Sequence, residues 1–141
     1  MQDRPTYREL LEAVQHFLEA DVVPALDGPK KFHARVAANV LAIVRRELDA
    51  EDAQLRREWQ GLEVLLGDAE TLPAERDAAR RRLGERGETL CARIRNGDAD
   101  SGPWRAAVLA HVRQTVIDKL AVANPKYLNR ESAAAADTRT R

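Results

Sequence analysis

The sequence lacks several features that would identify a class of protein. Its 141 residues contain one cysteine, Cys91, which cannot form a disulfide within the chain. No apolar run approaches the roughly 18 residues that a membrane-spanning helix needs. Residues 1–6 do not show the basic and then apolar pattern of a secretory signal. We therefore expect a cytoplasmic protein with no membrane partner.

An excess of charge of either sign is also missing. Twenty-three Lys and Arg residues balance twenty-three Asp and Glu residues, so the chain has no long-range electrostatic attraction for nucleic acid. Acidic residues lie among the arginines of segment 76–86, which is typical of a solvated helix face. A glycine-rich phosphate-binding loop is absent. We predict no nucleic-acid partner.

Helical periodicity is the strongest positive signal in the chain. Two apolar ladders lie side by side within residues 32–48. Positions four apart share one face of a helix, so we predict a helix around 30–48 whose two ladders form the centre of the core. No strand-like alternation or internal repeat accompanies it. The ladders consist of Phe32, Val36, Val40, Val44 and Leu48, and of His33, Ala37 and Leu41.

The length suits one domain with an adequate core. We predict an all-α fold, a single bundle of four to five helices over residues 1–128, followed by a mobile tail at 129–141 that has no large apolar residue to bury. A capping box of Thr6 and Glu9 begins the first helix, and Pro24 should end it near residue 22 or 23. A fourth helix is predicted from about 73 to 95, and a fifth from about 103 to 123, with its apolar face in the core.

The segment after Leu48 allows two interpretations. The apolar spacing continues through Leu55, Trp59, Leu62 and Leu66, which would make residues 30–66 one helix. Residues 49–52 could instead break the helix, with an acidic residue capping a third one. We favour a break or a kink. If that third helix projects from the bundle, its apolar residues would form the seam of a homodimer.

Four polar residues are candidate contacts for a ligand or a partner: His33, Arg35 and Asn39 on the central helix, and His111 on the fifth. Asn39 lies among apolar residues, so it either bonds to a neighbouring helix or loop or contacts a ligand in an interhelical pocket. The Glu-x-x-His pairs typical of metal sites in helical bundles are absent. We predict no metal, no cofactor and no catalytic residue, and we expect Cys91 in or beside the core.

Three blocks of sequence, at residues 1–14, 32–48 and 119–128, resemble a small bacterial helical domain family of unknown function. Members of that family occur alone or attached to aminoglycoside-phosphotransferase-like kinases, and they are encoded near acyl-CoA dehydrogenases. The resemblance extends from about Met1 to Leu128. It implies an accessory role in such a pathway and provides no catalytic residues to carry over.

Three functional hypotheses follow. The first is a non-catalytic interaction module that works with a phosphotransferase-like kinase or an acyl-CoA dehydrogenase. The second is a module that holds an acyl or phosphorylated small molecule between the central helix and the fifth helix, with Asn39, Arg35 or His111 at the mouth of the pocket. The third, which we favour least, is an enzyme, which would need His33 or His111 in a cleft beside a carboxylate or Cys91. A homodimer is compatible with all three.

Overall fold

The computed structural model describes residues 3–128, and this part of the chain contains five α-helices and no strand. The all-α prediction is confirmed. The predicted mobile tail at 129–141 lies outside the described residues. The described residues form two compact units, which divide between Ala50 and Glu51. The helices are α1 (Tyr7–Phe17), α2 (Val23–Ala25), α3 (Gly28–Leu66), α4 (Arg76–Arg95) and α5 (Gly102–Ala123).

Helix α1 begins at the predicted capping box. The backbone N–H of Glu9 donates to the Thr6 hydroxyl at 3.3 Å, and the Glu9 carboxylate accepts from the Thr6 backbone N–H at 2.7 Å. These bonds satisfy two N–H groups that the first turn of a helix leaves without a partner. The predicted start is confirmed.

Pro24 does not end the helical path at the predicted residue. A π-helical segment, Leu18–Val22, follows α1 and leads into α2, where Pro24 lies in the first turn. The backbone N–H of Val23 bonds to the carbonyl of Leu18, five residues back. The wider π turn separates the proline ring from the preceding turn, which relieves the clash expected in a regular helix.

Helix α3 is continuous from Gly28 to Leu66, so the favoured break at 49–52 is wrong. The helix predicted around 30–48 is present but extends a further 18 residues. Segment 30–66 contains no proline and only one glycine, and acidic residues cap a helix only where the backbone also turns. In the structure these carboxylates bind arginines instead: Asp49 pairs with Arg8 at 2.6 Å, and Asp52 pairs with Arg76 at 3.0 Å.

In the first unit, small residues of α3 are buried and large ones are exposed. Ala34, Ala38 and Ala42, spaced by four, are at most 9% exposed. Residues on the same stripe of the helix pair with α1, because Asp49 binds Arg8 and Arg45 binds Glu12. Alanine has no side chain beyond Cβ, so α1 can approach this stripe closely. The predicted central ladder from Phe32 to Leu48 lies on another face and is exposed, so its placement in the core is wrong.

The second unit has its own core, formed by the C-terminal part of α3 with α4 and α5. Leu62, Leu65, Leu90 and Val108 make up this cluster, and Trp104 packs against it. Trp59 is 2% exposed and its indole N–H donates to the carbonyl of Glu70 at 3.0 Å.

The condition for a homodimer seam on this part of α3 is not met, because Trp59 and Leu62 are already buried within one chain. The predicted apolar face of α5 is only partly covered. Val108 is buried, whereas Val112 and Val116 are exposed. Helix α5 was expected to contribute its whole face to the core, and it contributes one edge of that face.

The other helix ends follow local signals. Helix α3 ends at Leu66 before Gly67, which has φ +73°, a conformation that glycine adopts at low cost. Helix α4 begins three residues after the predicted Pro73. Its N-cap is Glu75, whose carboxylate accepts from the backbone N–H groups of Asp77 and Ala78 at 2.9 Å and 2.6 Å. The ends of α4 at Asn96 and of α5 at Asn124 are as predicted.

Candidate functional site

The main exposed apolar feature of the first unit is the α3 ladder, which we define as Phe32, Val36, Val40, Val44 and Leu48. These side chains are between 37% and 63% exposed. The spacing of four places them along one inclined ridge of the helix surface. A contiguous row of exposed apolar residues on a monomer marks an interaction site more often than a solvent-facing surface.

Helix α1 carries a second exposed row, the α1 stripe, which consists of Leu10, Val14 and Phe17. Each is about half exposed. The Arg8–Asp49 and Glu12–Arg45 ion pairs, at 2.6 Å and 3.5 Å, show that α1 runs antiparallel to α3.

With this direction and with the alanines of α3 facing α1, helical-wheel geometry places the α1 stripe beside Val44 and Leu48. The α1 stripe therefore borders the C-terminal end of the α3 ladder. We call them together the apolar face.

A small cavity lies on another side of the first unit. Its volume is about 250 Å³, and its polar lining comes from Glu19, Arg35 and Asn39. Glu19 belongs to the π-helical segment, and its carboxylate accepts a hydrogen bond from Gln15 at 3.0 Å. Within residues 3–128, Arg35 forms no ion pair. The apolar lining consists of Val23, Ala38 and Ala42.

The structure thus brings together two of the four candidate contact residues. Arg35 and Asn39 are one helical turn apart and both line the cavity. Asn39 is exposed, and its side chain has no hydrogen bond to another described residue. His33 is exposed elsewhere on α3, where its ring packs edge-on against Phe32 with 5.7 Å between ring centres.

His111 lies in the second unit, on α5. Its imidazole packs directly against the backbone of α3 at Gly61, where no side chain intervenes. Partial burial lowers the pKa of His111, and the nearby carboxylate of Glu58 opposes this effect. The histidine therefore fills the space above a glycine at a helix contact.

Five of the seven arginines of α4 form ion pairs with described residues: Arg76, Arg80, Arg82, Arg86 and Arg93. Arg76 and Arg80 both pair with Glu51, and Arg82 binds Glu70 at 2.7 Å. Arg86 departs from the expected solvated face, because it is 2% exposed and lies over the Trp59 ring at 4.3 Å.

Two other candidate chemistries receive no structural support. Among residues 3–128, no three His, Cys, Asp or Glu side chains are grouped as a metal site would require. Cys91 is exposed, so its expected place in or beside the core is wrong. Within the same residues, no helix is both long and apolar enough to cross a membrane.

Comparison with known families identifies one match. Residues 24–127 match a family described as a domain of unknown function, DUF6285. The chain belongs to the DUF6285 family. No curated protein and no solved structure matches it.

The DUF6285 match covers α3, α4 and α5 and begins after α1. The α3 ladder and the cavity residues Arg35 and Asn39 lie inside it, whereas the α1 stripe and Glu19 precede it. The candidate site of this DUF6285 protein therefore combines residues inside the family match with residues before it.

Sequence reasoning did not identify the α1 stripe or Glu19 as site residues. It assigned the apolar residues of α1 to the core, because any amphipathic helix is expected to bury its apolar face. The available signal was that α3 has two apolar faces, one of alanines and one of larger residues. A single neighbouring helix can cover only one of them.

Proposed function

We propose that this DUF6285 protein is a non-catalytic interaction module that binds another protein through the apolar face of its first unit. The observation that carries the proposal is the exposure of the α3 ladder, in which Phe32 is 63% and Val40 is 49% exposed. Covering such side chains releases water from apolar surface and supplies the main favourable term in protein association. Valine, leucine and phenylalanine offer no acid, base or nucleophile, so the surface is suited to binding.

The resemblance described above supplies the class of partner. It supports an accessory role for this protein beside a phosphotransferase-like kinase or an acyl-CoA dehydrogenase, in the bacterial cytoplasm. No kinase motif occurs within the 141 residues, so the role proposed for them is to bind such an enzyme. Its balanced charge is consistent with recognition by apolar contact more than by electrostatic steering.

The test is calorimetric titration of the purified protein with each purified enzyme. We expect binding with a negative heat-capacity change, which is the signature of apolar surface burial. Val40→Asp should abolish this binding, because it puts a carboxylate at the centre of the α3 ladder.

A matched control is available on the same helix. Val64 is 79% exposed and lies outside the apolar face, so Val64→Asp should bind as the wild type does. Equal affinity of the Val40→Asp and Val64→Asp variants would overturn the assignment of the surface. Absence of binding to either enzyme by the folded wild type would remove these partners.

The cavity supports a second candidate, a site for an acyl or phosphorylated small molecule. The guanidinium of Arg35 has no ion-pair partner among the described residues, and a guanidinium can bind a phosphate or carboxylate through two parallel hydrogen bonds. Asn39 adds an amide beside it. Glu19 disfavours an anion, and the volume of about 250 Å³ suits only a small ligand. These two properties place this candidate second.

Thermal unfolding in the presence of inorganic phosphate or butyrate tests the cavity. A ligand that binds the folded state raises the melting temperature with concentration. We expect Arg35→Gln to remove that increase while Arg35→Lys keeps part of it. An unchanged melting temperature with both probes would exclude small anions as ligands of this cavity.

A further inference from the structure

We infer that, when no enzyme is bound, the α3 ladder is covered by a second copy of this chain in an antiparallel, two-fold arrangement centred on Val40. The inference rests on the proposed function, because it names an occupant for part of the same apolar face. It also replaces the dimer seam around Trp59, which the structure places in the core of the second unit.

The order of side-chain sizes along the ladder supports the symmetry. Val36 and Val44 each lie four residues from Val40 and about 40° from it around the helix, whereas Phe32 and Leu48 lie about 80° to either side. In an antiparallel pair with its axis at Val40, Val40 faces Val40 of the other copy and Val36 faces Val44, while Phe32 and Leu48 flank the contact. Each central valine then meets a valine, as a self-complementary interface requires.

The spacing of the residues that face the partner sets the crossing angle. Around Val40 these residues are separated by three or four positions: His33, Val36, Val40, Val44 and Glu47. A face with both spacings suits two helices that cross at about +20° with axes roughly 8–10 Å apart. This face is about 21 Å long at the α-helical rise.

Charge complementarity favours the antiparallel direction. His33 and Glu47 are exposed and border the ladder at opposite ends. In this arrangement each His33 faces Glu47 of the other copy, where an imidazole N–H can donate to the carboxylate, whereas a parallel pair would place the two Glu47 carboxylates at the same level. The first 50 residues contain seven basic and eight acidic residues, so two first units do not repel each other strongly.

Disulfide trapping and sedimentation test the arrangement on a Cys91→Ser background. Val40→Cys should form a linked dimer by itself, because the two-fold axis brings the two thiols together. Val36→Cys and Val44→Cys should link when mixed but not separately. Val64→Cys is the control and should remain unlinked.

Sedimentation should show a reversible wild-type dimer. Val40→Asp should weaken it by roughly 100-fold or more, because two carboxylates would face each other at the axis. Val64→Asp should leave it unchanged. Glu47→Lys should weaken the dimer, and adding His33→Glu should restore it.

The outcomes separate this inference from the proposed function. A monomeric wild type that still binds an enzyme would overturn the dimer and leave the interaction module intact. A dimer with the predicted cross-links but no enzyme binding would overturn the proposed enzyme partners and leave the dimer intact. Self-linking of Val36→Cys alone would show a parallel pair and overturn the proposed symmetry.

Discussion

Removal of Asp68 should destabilise the protein more than removal of the arginine that it binds. Arg86 is 2% exposed, and its guanidinium carbon lies 4.3 Å from the centre of the Trp59 ring. One nitrogen, Nη2, donates to Asp68, while Nε and Nη1 have no hydrogen-bond partner among the described residues. Asp68 is therefore the main compensation for a buried positive charge.

The magnitudes follow from this asymmetry. Leaving a buried charge without its partner costs about 3–5 kcal/mol. Asp68 is 41% exposed, so solvent already screens the pair and we expect about 2–3 kcal/mol for Asp68→Ala. Arg86→Met loses a cation–π contact of about 1–2 kcal/mol. It also removes two unsatisfied buried nitrogens and retains most of the volume, so its net cost should be about 1 kcal/mol.

Urea denaturation of the two single variants and the double variant measures these values. The double variant should be about as stable as Arg86→Met alone, because Asp68 has no buried charge left to compensate. The slope of the transition should stay constant, so that the midpoint reports stability. A larger loss for Arg86→Met than for Asp68→Ala would refute the reasoning.

Three further predictions concern the helices. Gly61→Ala should lower the unfolding free energy by about 1–3 kcal/mol, because its Cβ would collide with the His111 ring. In the control Gly84→Ala the new Cβ has no neighbour within 4 Å, so the unfolding free energy should rise by up to about 1 kcal/mol. Urea denaturation measures both variants. The pKa of His111 is lower in the folded state than in the unfolded state, so stability should fall as pH drops below about 6.5, and His111→Gln should flatten this part of a melting-temperature profile. Thr6→Ala should cost about 1 kcal/mol by loss of the capping box, seen as faster amide exchange in the first turn of α1.

Helix ends were predictable because their signals are local. Thr6 and Glu9 bond to each other's backbone within one turn, and the positive φ of Gly67 ends α3 where the sequence places a glycine. Such interactions need no knowledge of the rest of the fold. The continuity of α3 was not predictable in this way, because the carboxylates at 49–52 are held by arginines distant in sequence.

Which face of α3 packs inside the first unit could not be read from the pattern. The larger residues of the ladder were predicted to form the centre of the core, and the structure exposes them. Ala34 and its equivalents allow close approach of α1, and this depends on the partner helix and not on hydrophobicity alone.

The candidate site shows the same division between local and distant information. Arg35 and Asn39 were predicted as separate candidate contacts, and the structure places both in one cavity because they are one turn apart on the same helix. Glu19 completes that pocket from the π-helical segment, which no local signal indicated. His111 was grouped with them by residue type, whereas its position is explained by the space above Gly61.

Thiol labelling would test the central claim most directly. Val40→Cys and Val64→Cys, each on the Cys91→Ser background, would be reacted with a maleimide over a range of protein concentrations, with and without the partner enzymes. The account predicts that labelling at position 40 slows as protein or enzyme concentration rises, while labelling at position 64 stays constant. Equal, concentration-independent labelling at both positions would show that nothing covers the α3 ladder and would contradict the account.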